Sequence, residues 1–174
     1  MRLNYRGQLP QLADSVFVAP GAVVIGDVTC GEDSSIWYNC VVRGDVMPIR
    51  IGARVNIQDL SVVHVTSGTH STTIEDDVTV GHRAIIHGCV VERGSLIGMG
   101  AIVMDGAVVG AGSLVGAGAV VTPGTVIPPR SLAVGSPARV KRELTDAEVE
   151  GLLDSATHYV RTAANHRASL EPTR

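Results

Sequence analysis

The fold is decided by one stretch, VERGSLIGMGAIVMDGAVVGAGSLVGAGAVVTPGTVI, residues 91–127. Val91, Ile97, Val103, Val109, Val115, Val121 and Ile127 recur at a step of six, and Gly or a small residue follows most of them within three places. A helix repeats near 3.6 residues and does not fit this step. Short strands separated by tight turns do fit, three to a coil, with one aliphatic row on each of three parallel walls. The strands of a β-sandwich keep no such fixed spacing. Working outward, Val18, Val24, Cys30, Ile36 and Val42 hold the same step, as do Ile74, Val80 and Ile86. The phase slips near 43–73 and again by one near 86–91. About seven coils of 18 residues are expected between residues 11 and 140, an all-β solenoid of hexapeptide repeats.

Composition agrees. The chain has 174 residues, enough for one sizeable domain. It is 45% apolar and 18% charged, which excludes a disordered tail. There are 27 Val and 20 Gly but only five aromatics, so the core must be narrow and filled by small branched side chains. Gly and Asn are expected at the corners, where turns need positive φ. The net charge is −3 with no basic block, which argues against nucleic acid. Residues 106–129 carry no charge, but recurrent Gly and the prolines 123, 128 and 129 argue against a membrane span. The first ten residues are polar and read as no signal peptide. Cys30, Cys40 and Cys89 are too few and scattered for a disulfide framework and read as packed thiols, which suits a cytoplasmic setting.

The repeat ends at Ser136-Pro137-Ala138-Arg139-Val140, so the β-helix is placed over residues 1–140 and a helical segment over 141–174. Thr145 reads as the N-cap, with Glu148 completing a capping box. Val149, Leu152, Leu153, Ala156, Val160 and Ala163 form an apolar stripe, expected to bury against a wall or a neighbouring subunit.

The chemistry lies in the histidines. His64 and His82 are 18 residues apart, one coil, and share an offset from Val62 and Val80. Without an insertion they would stack on one wall about 4.8 Å apart. His87 follows His82 by five, which would put the two on opposite faces of any straight strand, so either the chain turns a corner between them or they point toward different subunits. Three neutral imidazoles with an open position are a known catalytic zinc set. His158 and His166 read as solvated and His70 as a loop residue, with a possible role in proton shuttling.

Arg43-Gly44-Asp45, Asn56-Ile57-Gln58-Asp59, His64, Gly81-His82 and His87-Gly88, taken in order, resemble the γ-class carbonic anhydrase pattern. The resemblance runs through Gly135-Ser136-Pro137-Ala138 and the C-terminal helix. It implies a left-handed β-helix, an obligate homotrimer, and metal sites in which His64 and His87 come from one subunit and His82 from the next. The metal implied by the resemblance is Zn2+, with Fe2+ or Co2+ as variants. It further implies that zinc-bound hydroxide attacks CO2 to give bicarbonate while Gln58 orients it, with Asn56 assisting and Tyr159 offering a phenol. Arg43, Asp45 and Asp59 resemble the family's intersubunit ion pairs. The chain departs from the best-known archaeal type, because Val46 follows Asp45 and residues 66–73 hold no carboxylate. That departure opens two alternatives, a metal-dependent acyl-CoA thioesterase and a metal-binding scaffold without turnover. A hexapeptide acyltransferase would need one critical His as general base and no metal.

Overall fold

The computed structural model describes residues 1–170, so the last four residues of the segment 141–174 lie outside it. The chain winds into a parallel β-solenoid of about seven turns, a left-handed β-helix with one C-terminal helix. The first wall stacks Val62–His64, Ile85–His87, Ile102–Val103 and Val120–Val121 in register. The second stacks Thr72–Ile74, Val90–Val91, Val108–Val109 and Val126–Ile127. The third runs from Phe17–Val18 through Ser35–Ile36, Asn56–Ile57, Thr79–Val80, Leu96–Ile97 and Leu114–Val115 to Ser131–Gly135. Val23–Cys30 and Val41–Ile51 run unbroken through the corner between the first two walls and join them in one 12-stranded sheet.

Each short strand points one residue out and one in, as extended backbone must. The inward rows are the six-step residues: Val42, Val63, Ile86, Val103 and Val121 on the first wall have no exposed surface. Burying each such side chain stabilises by about 1.5–3 kcal/mol, which is how a core nearly free of aromatics holds. The outward row of the same wall is aliphatic too. Val41, Val62, Ile85, Ile102 and Val120 form a ladder in register, with Val62 and Ile85 each more than a third exposed.

The corners use left-handed backbone, but not only at Gly and Asn. Arg54, Leu60, Asp77, Arg83 and Arg130 also take positive φ. A side chain there costs about 1–2 kcal/mol. Arg54 and Asp77, on successive coils of one corner, offset part of it by pairing at 2.6 and 2.8 Å.

The boundary expected at 140/141 falls inside a strand. Ala138–Glu143 folds back antiparallel on Ser131–Gly135 and covers the last edge of the third wall. The helix, Asp146–Ser169, starts after it, with Thr145 as N-cap and a complete capping box with Glu148. It packs against Phe17–Val18, Ser35–Ile36, Asn56–Ile57 and Thr79–Val80 of its own chain. Leu152, Ala156 and Ala163 are buried, whereas Leu153 stays 43% exposed.

Candidate metal centre

Coil length positions the site. Ile57 pairs with Val80, so this coil holds 23 residues, not 18. The excess is the turn Thr66–His70, closed by Thr66 N to His70 O (3.0 Å) and His70 N to Thr66 O (3.2 Å). The stacking of His64 on His82 expected from their spacing therefore does not occur, because the insertion shifts the register. His64 instead pairs with His87 across adjacent strands, rings 5.0 Å apart, with His64 Nδ1 and His87 Nε2 at 3.1 Å.

Each outer ring nitrogen of this pair meets a carboxylate. His64 Nε2 lies 3.1 Å from Asp45 Oδ1, and Arg43 donates to Asp45 Oδ2 at 2.5 Å. His87 Nδ1 lies 2.6 Å from Asp105 Oδ1, and Thr66 Oγ1 donates to Asp105 Oδ2 at 2.7 Å. Burial opposes ionisation of Asp45, but hydrogen bonds from Arg43 and His64 outweigh it and hold the carboxyl below its usual range. The Thr66 hydroxyl, ahead of His87, does the same for Asp105. Burial pushes His64 below the ordinary imidazole range against the pull of Asp45, which favours the neutral ring. The two inner ring nitrogens face each other at 3.1 Å; in the tautomers that turn both N–H groups to the carboxylates, each of these nitrogens presents a lone pair. A cation between them relieves that repulsion, and carboxylate–His–metal chains are a recurring metal-site arrangement. The donor set fits a divalent metal such as zinc.

His82 sits at the other end of the wall. It follows the third-wall strand Thr79–Val80, and its Nδ1 lies 2.8 Å from Asp59 Oδ2 on the coil before. Five residues separate it from His87, about 16 Å of chain when fully extended. Among the described residues no three His, Cys, Asp or Glu of one chain converge on a point. Gln58 neighbours Asp59 and is buried. Its Nε2 donates to Asn56 Oδ1 (3.0 Å), and Asn56 Nδ2 donates to Thr79 Oγ1 (2.8 Å), which leaves Gln58 Oε1 as the outward acceptor. Tyr159 stacks edge-on against Trp37 at 5.5 Å. Burial first, then the Asp59 charge, raises its phenol pKa, so the phenol stays protonated near this corner at neutral pH.

One chain thus gathers Arg43, Asp45, His64, His87 and Asp105 at one corner and Asn56, Gln58, Asp59, His82 and Tyr159 at another. Within the chain Arg43 pairs with Asp45, and Asp59 pairs with His82. Asp105 escaped the sequence reading. Its only signal is its place 18 residues after His87, one coil on. His166 is not solvated as expected. It donates to or accepts from Tyr38 at 2.9 Å and lies 4.9 Å from the Trp37 ring, since the helix carries it into the aromatic cluster. The three cysteines are free and buried. Burial pushes Cys30 and Cys89 up to about 12 and Cys40 up to about 11, which suits packed thiols.

Coil and corner define a hexapeptide-repeat protein, and residues 88–123 match the bacterial transferase hexapeptide family (six repeats). A crystal structure of the BC4754 product of Bacillus cereus, provisionally described as an acetyltransferase, superposes with a TM-score of 0.94 at 45% identity, covering 97% of both chains. The carbonic anhydrase of Geobacillus kaustophilus is 47% identical over 164 residues, 94% of this chain and 90% of that protein. Gamma carbonic anhydrase 1 of Arabidopsis thaliana mitochondria is 47% identical over 95% of this chain, which spans 62% of that longer protein. The chain belongs to the γ-class carbonic anhydrase family.

Proposed function

We propose that this protein is a metal-dependent carbonic anhydrase, interconverting CO2 and bicarbonate at sites shared between the subunits of a homotrimer. Family membership supports the activity. The observation that carries the site is the pair of imidazole ring nitrogens, His64 Nδ1 and His87 Nε2, facing each other at 3.1 Å, with a carboxylate at the far nitrogen of each ring. His64 and His87 of one subunit, with His82 of the next, would hold the metal. Zinc held there would supply a Lewis acid able to bring the pKa of water to about 7, and Fe2+ or Co2+ would supply the same kind of chemistry. Gln58 Oε1 accepts a hydrogen bond from the O–H of the nucleophile and so orients it, and Asn56 Oδ1 fixes the amide by accepting from Gln58 Nε2. Tyr159 donates from its protonated phenol. Arg43, Asp45 and Asp59 brace the boundary between subunits.

The separation of His82 from the His64–His87 pair by the width of a wall supports the sharing. That wall carries the partly exposed ladder Val41, Val62, Ile85, Ile102 and Val120, an apolar face suited to a second copy. A small substrate suits the chain. The cavity beside the Thr66–His70 turn is about 200 Å³, and another, about 680 Å³, lies between Met1, Phe17 and Arg167 with none of His64, His82 or His87 in its lining. Among the described residues no helix is long and apolar enough to cross a membrane. Three free buried thiols suit a reducing compartment such as the cytoplasm.

The test is metal content per chain together with stopped-flow CO2 hydration on the same anaerobic sample. About one metal per chain, with hydration that chelation abolishes, is the expected result. Metal without hydration would move the assignment to thioester hydrolysis or a scaffold, and a folded trimer without metal would undo the three-histidine site.

A further inference from the structure

We propose that Asp105, strapped by the Thr66 hydroxyl, is the positioning residue that sets the tautomer and orientation of His87. The proposal rests on the three-histidine reading above. Asp105 follows the strand Ile102–Val103 at the corner one coil beyond His87. Its two oxygens face opposite duties: Oδ1 accepts from His87 Nδ1 at 2.6 Å, and Oδ2 accepts from Thr66 Oγ1 at 2.7 Å. A carboxylate held at both oxygens cannot swing away from the ring without losing a second, charge-assisted bond. With Nδ1–H committed, Nε2 is left as the lone pair that faces His64.

Two neighbouring features make the strap. The five-residue excess in the 23-residue coil is the Thr66–His70 turn, so the insertion itself delivers the hydroxyl. Gly88, at φ +57°, supplies the space. A Cβ there would fall inside van der Waals contact of Asp105 Oδ1. Thr72 completes the frame on the other side. Its hydroxyl donates to His64 O (2.6 Å) and accepts from Gly88 N (2.9 Å), tying together the strand ends that carry both histidines. The segment after His64, poor in acidic residues, therefore acts on the centre through a hydroxyl.

The test uses the full-length protein stripped of metal. Long-range 1H–15N correlation of the imidazoles reports the His87 tautomer without any metal. Chelator competition with Zn2+ and the visible spectrum of the Co2+ form report the loaded site. Wild type should show His87 protonated on Nδ1. Asp105→Asn should lose that single tautomer, bind Zn2+ about 10–100-fold more weakly, and shift the Co2+ bands. Thr66→Val should weaken binding by a smaller factor. The double variant should bind no worse than Asp105→Asn, because Thr66 acts through Asp105. Unchanged tautomer and affinity in Asp105→Asn, or losses that simply add, would overturn the assignment. If Asp105→Asn fails to fold, Thr66→Val carries the test alone, and unchanged binding there overturns it. Should wild type hold no metal while His87 keeps its Nδ1 tautomer in an Asp105-dependent way, the metal reading fails and the positioning role stands.

Discussion

Two glycine substitutions separate the cost of a corner from the cost of the site. Gly68 and Gly88 both take left-handed backbone, at φ +71° and +57°. A Cβ at Gly68 meets nothing within 4 Å, while one at Gly88 strikes Asp105 Oδ1 and comes 2.8 Å from His70 Cβ. Gly68→Ala should therefore cost only the conformational term, about 1–2 kcal/mol. Gly88→Ala carries the same term and also displaces the Asp105 carboxylate from His87 and Thr66. Hydrogen bonds to charged groups contribute about 1.5–3 kcal/mol each. The Asp105 side chain is 30% exposed, so water takes over part of that role and the lower end applies. Two bonds then add about 3 kcal/mol, giving about 4–5 kcal/mol for Gly88→Ala. Urea unfolding of both metal-free variants, at one protein concentration, reads the difference. The reasoning fails if the two are destabilised equally within about 0.5 kcal/mol.

Mixing His64→Ala chains with His82→Ala chains should regenerate intact sites in some mixed trimers, seen as recovered metal binding, because each variant supplies the half-site the other lacks. No recovery after reassembly would place all ligands on one chain. The helix cap supplies a pH test. Arg142, then the Thr145 backbone, lowers the Glu148 pKa to about 2. A carboxyl depressed in the folded state stabilises above its unfolded pKa, about 4.3, and that contribution is lost as pH falls toward 2. Urea midpoints of wild type and Glu148→Gln should thus differ at pH 6, draw together as pH falls from about 4, and converge only below about pH 2; a gap that does not shrink between pH 4 and pH 2 would deny the pair its role.

The inward rows were legible because a β-helix repeats its core on a strict step, and a single aliphatic period reports it over most of the chain. Even the irregular coils showed. The slips near 43–73 and 86–91 correspond to pairings of Ile36 with Ile57, Ile57 with Val80, and Val80 with Ile97, steps of 21, 23 and 17. What the period could not show was where inside 43–73 the extra residues sit. An 18-residue spacing between His64 and His82 looks like one coil on the page, yet it mixes a five-residue insertion with a shift from one wall to another. The final strand was hidden for a different reason. Ala138–Glu143 is antiparallel and mostly exposed, so it keeps neither the step nor the buried row.

The same irregularity explains where the chemistry is. From Leu96 onward the coils pair at a constant 18, and their outward residues stack like on like. A perfect repeat places each side chain above its own counterpart, which builds ladders but no convergence of unlike groups. Arg43, Asp45, Asn56, Gln58, Asp59, His64, His82 and His87 all lie in the coils that depart from 18. There the altered register sets His64 against His87 and Asp45 behind His64. Asp105 is the exception, since it occupies a regular coil and reads in Met104-Asp105-Gly106 as an ordinary turn residue. It joins the site because the irregular coil above reaches down to it, through His87 and Thr66. A residue recruited by its neighbours' departure from a repeat leaves no departure of its own to be read.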